Sequence, residues 1–258
     1  MKTLKVIKIG GNVINNEHLL DVFLLNFSEL NSPKILVHGG GKLATDLANR
    51  MGVAVKMTNG RRITDAETLE IITMVYAGKI NKNVVAKLQE HRCNAIGFTG
   101  ADGNSIVSVK RPVKDIDFGF VGDVEQVNTD ILEVLINKSI TPVFCAMTHD
   151  ENGQLLNTNA DTIAAELAIG LANNFNTELY YCFEKNGVLT DISNESSVIE
   201  HIDSAVYKSL VKNKVIAEGM LPKMTNCFHA LNHKVNKVCI GKPEMLFKEK
   251  SLFTTMRL

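Results

Sequence analysis

The chain has no net charge, no paired cysteine motif and no long apolar run, and each lack removes a class of function. Lys+Arg and Asp+Glu both number 28 in 258 residues, so no overall field draws the chain to nucleic acid or to a membrane surface, and any anion site must be built locally. The five cysteines, Cys93, Cys145, Cys182, Cys227 and Cys239, are odd in number and include no CxxC spacing. Reduced thiols in the cytoplasm are expected, and a metal cluster is not. Met1-Lys2-Thr3 leads into a run too short and too charged for a signal segment, and no apolar stretch reaches membrane-spanning length. The expectation is a cytoplasmic protein without a membrane partner. No GxxxxGK[ST] phosphate loop and no GxSxG nucleophile elbow occurs, which argues against two large enzyme classes.

What is present begins at the first strand. Val6, Ile7 and Ile9 form a β-branched run typical of a buried strand, yet Lys8 lies inside it and Gly10-Gly11 ends it. A lysine at the end of a buried strand wants an anion, and glycines let backbone N–H groups approach one closely. The competing reading is an edge strand that exposes Lys8 and turns at the glycines. The device recurs: Ile35-Leu36-Val37-His38 runs into Gly39-Gly40-Gly41, followed by an amphipathic helix to about Arg50. Strand, glycine loop and helix form the arrangement in which a helix N-terminus binds anions. Gly39 to Ala44 fits GxGxxA, but the acid expected about 20 residues on in a dinucleotide fold is missing, since Val53-Ala54-Val55-Lys56-Met57-Thr58 stands there. A phosphate cradle is the reading that remains best supported.

Taken in order, the rest alternates strands and helices. Helical spacing covers Glu17 to Leu30, and Asn59-Gly60 signals a hairpin with Arg61 and Arg62 just after it. Asp65 opens a long, apolar helical region through about Leu88, either a core helix or one facing a second subunit. Strands are expected at Ala95–Phe98, Ser105–Lys110, Phe118–Asn128 and Thr141–Ala146, with a helix over Thr129–Asn137 between the last two. Asn157-Thr158-Asn159-Ala160-Asp161 precedes a helix expected from about Thr162 to Ala172. One N-cap needs one such residue, so three in five positions suggest additional work. Glu178 to Phe183 reads as a strand, the stretch to Val215 is weakly patterned, and Pro222 opens a helix through about Lys234. Lys223 falls at that helix's N-terminal end, where a cation is unfavourable unless an external anion attends it. His229 and His233, spaced i, i+4 on the same helix, read as plain surface because no third ligand is placed to help. Together these indicate an α/β fold with a mostly parallel sheet whose site lies at the strand C-terminal ends, and a chemistry of phosphoryl transfer by positioning and electrostatics.

Six segments then resemble one family. Lys8-Ile9-Gly10-Gly11, His38-Gly39-Gly40-Gly41, Asn59-Gly60-Arg61-Arg62-Ile63-Thr64, Phe120-Val121-Gly122-Asp123-Val124, Asn157 to Asp161 and Gly219-Met220-Leu221-Pro222-Lys223 are together similar to the amino acid kinase family, in its N-acetylglutamate kinase branch. The resemblance implies a three-layer sandwich around a mostly parallel sheet, in two lobes: residues 1–172 for the acylated glutamate and dimerisation, and 173–258 for the nucleotide. It implies transfer of the ATP γ-phosphoryl group, with Mg²⁺ carried by the nucleotide, to the side-chain carboxylate of N-acetyl-L-glutamate, the second step of arginine synthesis. An N-succinyl substrate would keep the same catalytic residues and stays open, as does the activity of another member of the family. A non-catalytic binding module of the same fold finds support only in the changes around Glu184.

By the same resemblance Lys8 and Lys223 hold the transferring group, and Asp161 orients both lysines. Gly10, Gly11, Gly40 and Gly41 supply N–H groups, while Arg62 and Asn157 grip the acyl amino acid. Glu184, in Phe183-Glu184-Lys185-Asn186-Gly187, stands where the family usually carries an aspartate facing the nucleotide. Glu218 departs from a common glycine. A homodimer joined through the helix from Asp65 is expected. The first strand begins almost at once, which leaves no place for the N-terminal helix of arginine-inhibited relatives, so insensitivity to arginine is expected.

Overall fold

The computed structural model describes residues 1–58, 60–213, 215–216 and 220–258, the side chain of Pro222 excepted. Asn59 of the expected hairpin turn, and Glu218 and Gly219 before the last expected helix, lie outside the described residues. In chain order the elements are β1 (Thr3–Ile9), α1 (Gly11–Ile14), α2 (Glu17–Ser28), β2 (Lys34–His38), α3 (Gly41–Arg50), β3 (Lys56–Thr58), β4 (Arg61–Ile63) and α4 (Ala66–Ile72). A π-helical stretch, Thr73–Ile80, joins α4 to α5 (Asn81–Glu90), followed by β5 (Ala95–Phe98), β6 (Ile106–Lys110), β7 (Gly122–Val127), α6 (Asp130–Asn137), β8 (Thr141–Cys145), β9 (Met147–His149) and β10 (Leu155–Asn157). The chain closes with α7 (Ala160–Gly170), β11 (Asn176–Cys182), β12 (His201–Ile202), α8 (Ser204–Lys212), α9 (Leu221–Asn232), β13 (Lys237–Gly241) and β14 (Thr254–Met256).

Among the described residues, eight strands form one sheet in the order β12-β14-β13-β11-β1-β2-β8-β5. Its pairs are parallel except β13 with β14. This is the expected α/β class, and it removes the edge-strand reading of Lys8: β1 is interior, flanked by β11 and β2. Two apolar clusters cover the two faces, one drawing on α2, α3 and the helix from Ala66, the other on α6, α7 and α9. Such double burial is why the central strands read as continuous apolar runs.

The register sets up the site. Ile9 lies opposite both His38 and Cys182, Cys182 opposite Gly241, and His38 opposite Cys145. The last residues of β1, β2, β8, β11 and β13 therefore form one row, and the loops after them open on the same edge.

Several boundaries differ from the sequence expectation for identifiable reasons. The helix expected from Thr162 starts at Ala160, because the Asn159 side chain accepts hydrogen bonds from the N–H groups of Asp161 (2.8 Å) and Thr162 (3.2 Å). The strand expected over Phe118–Asn128 is regular only from Gly122. Before it, Gly119 crosses so close to Thr64 that a Cβ would lie 2.2 Å from the Thr64 carbonyl oxygen, and the chain makes single bridges from Gly119 to Thr64 and from Val121 to Asn157. The weakly patterned stretch before Val215 contains α8, capped by Asp203 through the N–H groups of Ala205 and Val206, both at 2.8 Å. No α8 residue is fully buried, so its apolar stripe is too thin to stand out. β13 and β14, beyond the last expected helix, complete the sheet.

Candidate active site

The first half of the site grows from β1. Lys8, next to last in that strand, extends toward the N-terminal turn of α7, where Asp161 meets it: Nζ and Oδ1 are 2.7 Å apart, with the two side chains 12% and 13% exposed. Asp161 is free for this because Asn159 does the capping, and Asn157 is also released, its Nδ2 donating to Thr64 Oγ1 at 3.0 Å. Each of the three polar residues in five positions thus has its own task. Gly10 is the N-cap of α1 and Gly11 its first residue, directly beyond Lys8.

Lys223 enters from the opposite direction, in the first turn of α9. Its ammonium lies 3.9 Å from the ring centroid of Phe183, and Lys8 Nζ lies 5.8 Å from the same ring. Burial holds the Lys223 pKa below the usual lysine range; Asp161 opposes that shift and Lys8 adds to it. The two ammonium groups therefore share one neighbourhood. Asp161 is ion-paired with Lys8, whereas the ring of Phe183 carries Lys223.

A pocket of about 700 Å³ opens here. Lys8, Gly10, Gly11, Glu184 and Lys223 line it together with the apolar Val13, Val188, Leu189 and Ile216. Glu184 is exposed on this wall. Lysines and apolar side chains in one lining form a set suited to a nucleotide polyphosphate and its base.

The second half is built around the triple glycine. Gly40 is the N-cap of α3, and a Cβ on it would lie 2.3 Å from Ile80 Cδ1 and 2.8 Å from Tyr76 Cδ1. The glycine is needed for close approach, and the π-helical stretch carries the side chains that press on it. Arg62 reaches across from β4, its Nη2 donating to Gly41 O (2.9 Å) and Thr45 Oγ1 (2.8 Å). His38 is fully buried below the loop. Asn81 Nδ2, whose other contact is Val143 O, donates to His38 Nε2 at 3.1 Å, so Nδ1–H donates to Gly39 O at 2.8 Å. Burial lowers its pKa to about 4, so the ring is a neutral strut.

Lys8, Gly10, Gly11, Asp161, Glu184 and Lys223 are thus brought to one cluster, and Gly40, Gly41 and Arg62 to another. Asn157 lies at the end of β10, beside Thr64 of the hairpin. His229 and His233 stay apart on the α9 surface, His229 Nε2 being 3.1 Å from Glu166. Sequence reasoning passed over Phe183 and Tyr76. The only prior sign of either was an aromatic residue at a position next to glycines or charges.

The class follows from this fold and these cations: residues 3–242 match the amino acid kinase family, and the chain belongs to it. It is 53% identical over 247 residues to the acetylglutamate kinase of Cytophaga hutchinsonii, covering 95% of this chain and 94% of that protein. It is also 53% identical over 237 residues to the acetylglutamate kinase of Phocaeicola vulgatus, with 92% of each chain covered. The crystal structure of smu.665 from Streptococcus mutans superposes with a TM-score of 0.78 over 98% of both chains at 24% identity, which speaks for the fold. The protein is a kinase of this family.

Proposed function

We propose that this chain transfers the γ-phosphoryl group of ATP to the side-chain carboxylate of N-acetyl-L-glutamate, the acyl-phosphate-forming step of arginine biosynthesis. The observation that carries the chemistry is that Lys8, ion-paired with Asp161, and Lys223 both line a nucleotide-sized pocket. The relatives named acetylglutamate kinase, half identical over nearly the whole chain, support the acceptor.

The acceptor carboxylate is already ionised and needs no general base. The obstacle is repulsion between its oxygens and those of the phosphoryl group, about 4 kcal/mol per close charge pair at an effective dielectric near 20. Lys8 and Lys223 offset that charge as the two groups approach, with Mg²⁺ travelling on the nucleotide. N–H groups at Gly10, Gly11, Gly40 and Gly41 add fixed dipoles. Asp161 anchors Lys8 and, through the field it contributes at Lys223, opposes the lowering of that lysine's pKa by burial. Arg62 takes the α-carboxylate of the amino acid, for which its planar fork is suited, and Asn157 reaches the substrate's remaining polar atoms. Glu184 faces the nucleotide from the pocket wall.

In this reading residues 1–172 serve the acyl amino acid and residues 173–258 the nucleotide. The pocket walls from Phe183 to Ile192 and at Lys223 support that division. The molecule is a homodimer joined through the helix from Ala66 to Glu90, a reading favoured by the exposed Met74 on it and Ile96 on the neighbouring edge strand β5. It works in the cytoplasm, in keeping with five cysteines that are all free and buried.

The test is ATP-dependent acyl-phosphate formation trapped with hydroxylamine, across N-acetyl-L-glutamate, N-succinyl-L-glutamate, free L-glutamate and L-aspartate. A preference for N-acetyl-L-glutamate is expected. Turnover confined to any of the other three would overturn the acceptor, and no turnover with any of them would overturn the activity.

A further inference from the structure

Within the functional reading above, one residue has no assigned role and holds a central place. We infer that Phe183 is a positioning residue for Lys223, its ring face seating the ammonium that acts on the transferring group. The ring is fixed on several sides. The Phe183 N–H donates to Gly241 O at 2.8 Å, extending the β11–β13 pairing one residue past the strand. Its ring lies parallel to that of Tyr181, with an interplanar angle of 6° and centroids 6.1 Å apart. Tyr181 is fully buried and donates its hydroxyl to Asp161 O at 2.9 Å. One residue, Asp161, therefore holds Lys8 by its carboxylate and, through its carbonyl, braces the aromatic pair on which Lys223 rests.

The physical consequence is a division of labour between the two cations. A lysine in the first turn of α9 sits against the positive end of that helix and gains nothing from it. An aromatic face attracts the ammonium through its quadrupole without bringing a compensating charge. Lys8 is ion-paired with the carboxylate that orients it, while Lys223 is seated on a neutral ring. Phe183 does this from a rigid mount, which is what preorganisation of a transition-state contact requires.

The test compares Phe183→Leu, Phe183→Tyr and Lys223→Ala with the parent and adds the Phe183→Leu/Lys223→Ala double variant. Phe183→Leu is expected to lower kcat about tenfold, the scale of a desolvated cation–π contact, with the KM for the acyl amino acid unchanged. Phe183→Tyr, which keeps the ring, restores most of the rate. In the Lys223→Ala background, Phe183→Leu costs nothing more, since the partner is already gone. A readout independent of turnover is the ε-CH₂ resonance of Lys223 in lysine-labelled protein, which the ring shifts upfield in the parent and in Phe183→Tyr but not in Phe183→Leu. An unshifted parent resonance overturns the seat. A tenfold loss that Tyr does not rescue, or that persists without Lys223, overturns the positioning role. A parent inactive on every acceptor removes the kinase reading instead, and the resonance then decides whether the seat exists.

Discussion

Replacing Asp161 by Asn keeps the shape of the side chain and removes only its charge. At 2.7 Å from Lys8 Nζ, an effective dielectric near 20 gives an attraction of about 6 kcal/mol. Much of that repays the desolvation of the two ions. Removing one partner of a fully buried pair typically costs about 3–5 kcal/mol, because the remaining ion is left dry and alone. Since both side chains retain slight exposure, at 12% and 13%, the low end applies, and a loss of about 3 kcal/mol in unfolding free energy is expected. The second effect is on turnover. Without the anchor, Lys8 and Lys223 face each other as like charges beside one ring, and kcat should fall about a hundredfold, equivalent to roughly 2.7 kcal/mol. The cap of α7 is untouched, because Asn159 bonds the backbone of residue 161. Urea unfolding and initial rates of hydroxamate formation read the two effects separately. An unchanged unfolding midpoint together with near-parental kcat would refute the reasoning.

Three further outcomes are expected. Arg62→Lys should raise the KM for the acyl amino acid by about tenfold or more while leaving the KM for ATP unchanged, since a point charge cannot reproduce the bidentate fork; steady-state kinetics with each substrate varied in turn would show an equal rise in both if Arg62 served the fold alone. His38, held to a pKa of about 4 in the folded protein, protonates near pH 6.5 when unfolded, so the stability it supports above that pH is lost as the pH falls from 6.5 toward 4, by about 3 kcal/mol in total. Urea midpoints that do not decline between pH 7 and pH 5 would contradict this sign. Gly40→Ala forces a methyl to within 2.3 Å of Ile80 Cδ1, so about 1–3 kcal/mol of stability should be lost, and the displaced glycine loop should weaken acyl amino acid binding. Unfolding midpoint and KM measured on one preparation test both halves.

Much of the candidate site was legible in the order of residues because strand and turn chemistry is local. A β-branched run with a lysine inside it and two glycines after it, a second run ending in three glycines, and a polar cluster before a helix can each be interpreted without a fold. The α/β class followed from the same alternation. Less legible was α8, whose half-buried Val206, Tyr207 and Leu210 contribute only a thin stripe. The short bridges of Gly119 and Val121, which depend on Thr64 and Asn157 far away in the chain, could not be read locally at all.

The sequence by itself singled out the side chains whose chemistry suits phosphate or a carboxylate, and placed Lys8 near the end of a strand and Lys223 in the first turn of a helix. Only the tertiary structure decided how they are shared out. Parallel pairing aligned Ile9, His38, Cys182 and Gly241 in one row, so loops far apart in the chain came to one edge. Packing then gave Asp161 to Lys8 and the Phe183 ring to Lys223. It also pressed Tyr76 and Ile80 so closely on residue 40 that a Cβ there would force their side chains to shift. The reason is physical: the chemistry of a residue is carried by the residue, but the partner that sets its charge, orientation and room is chosen by contacts between segments that the chain order does not bring together.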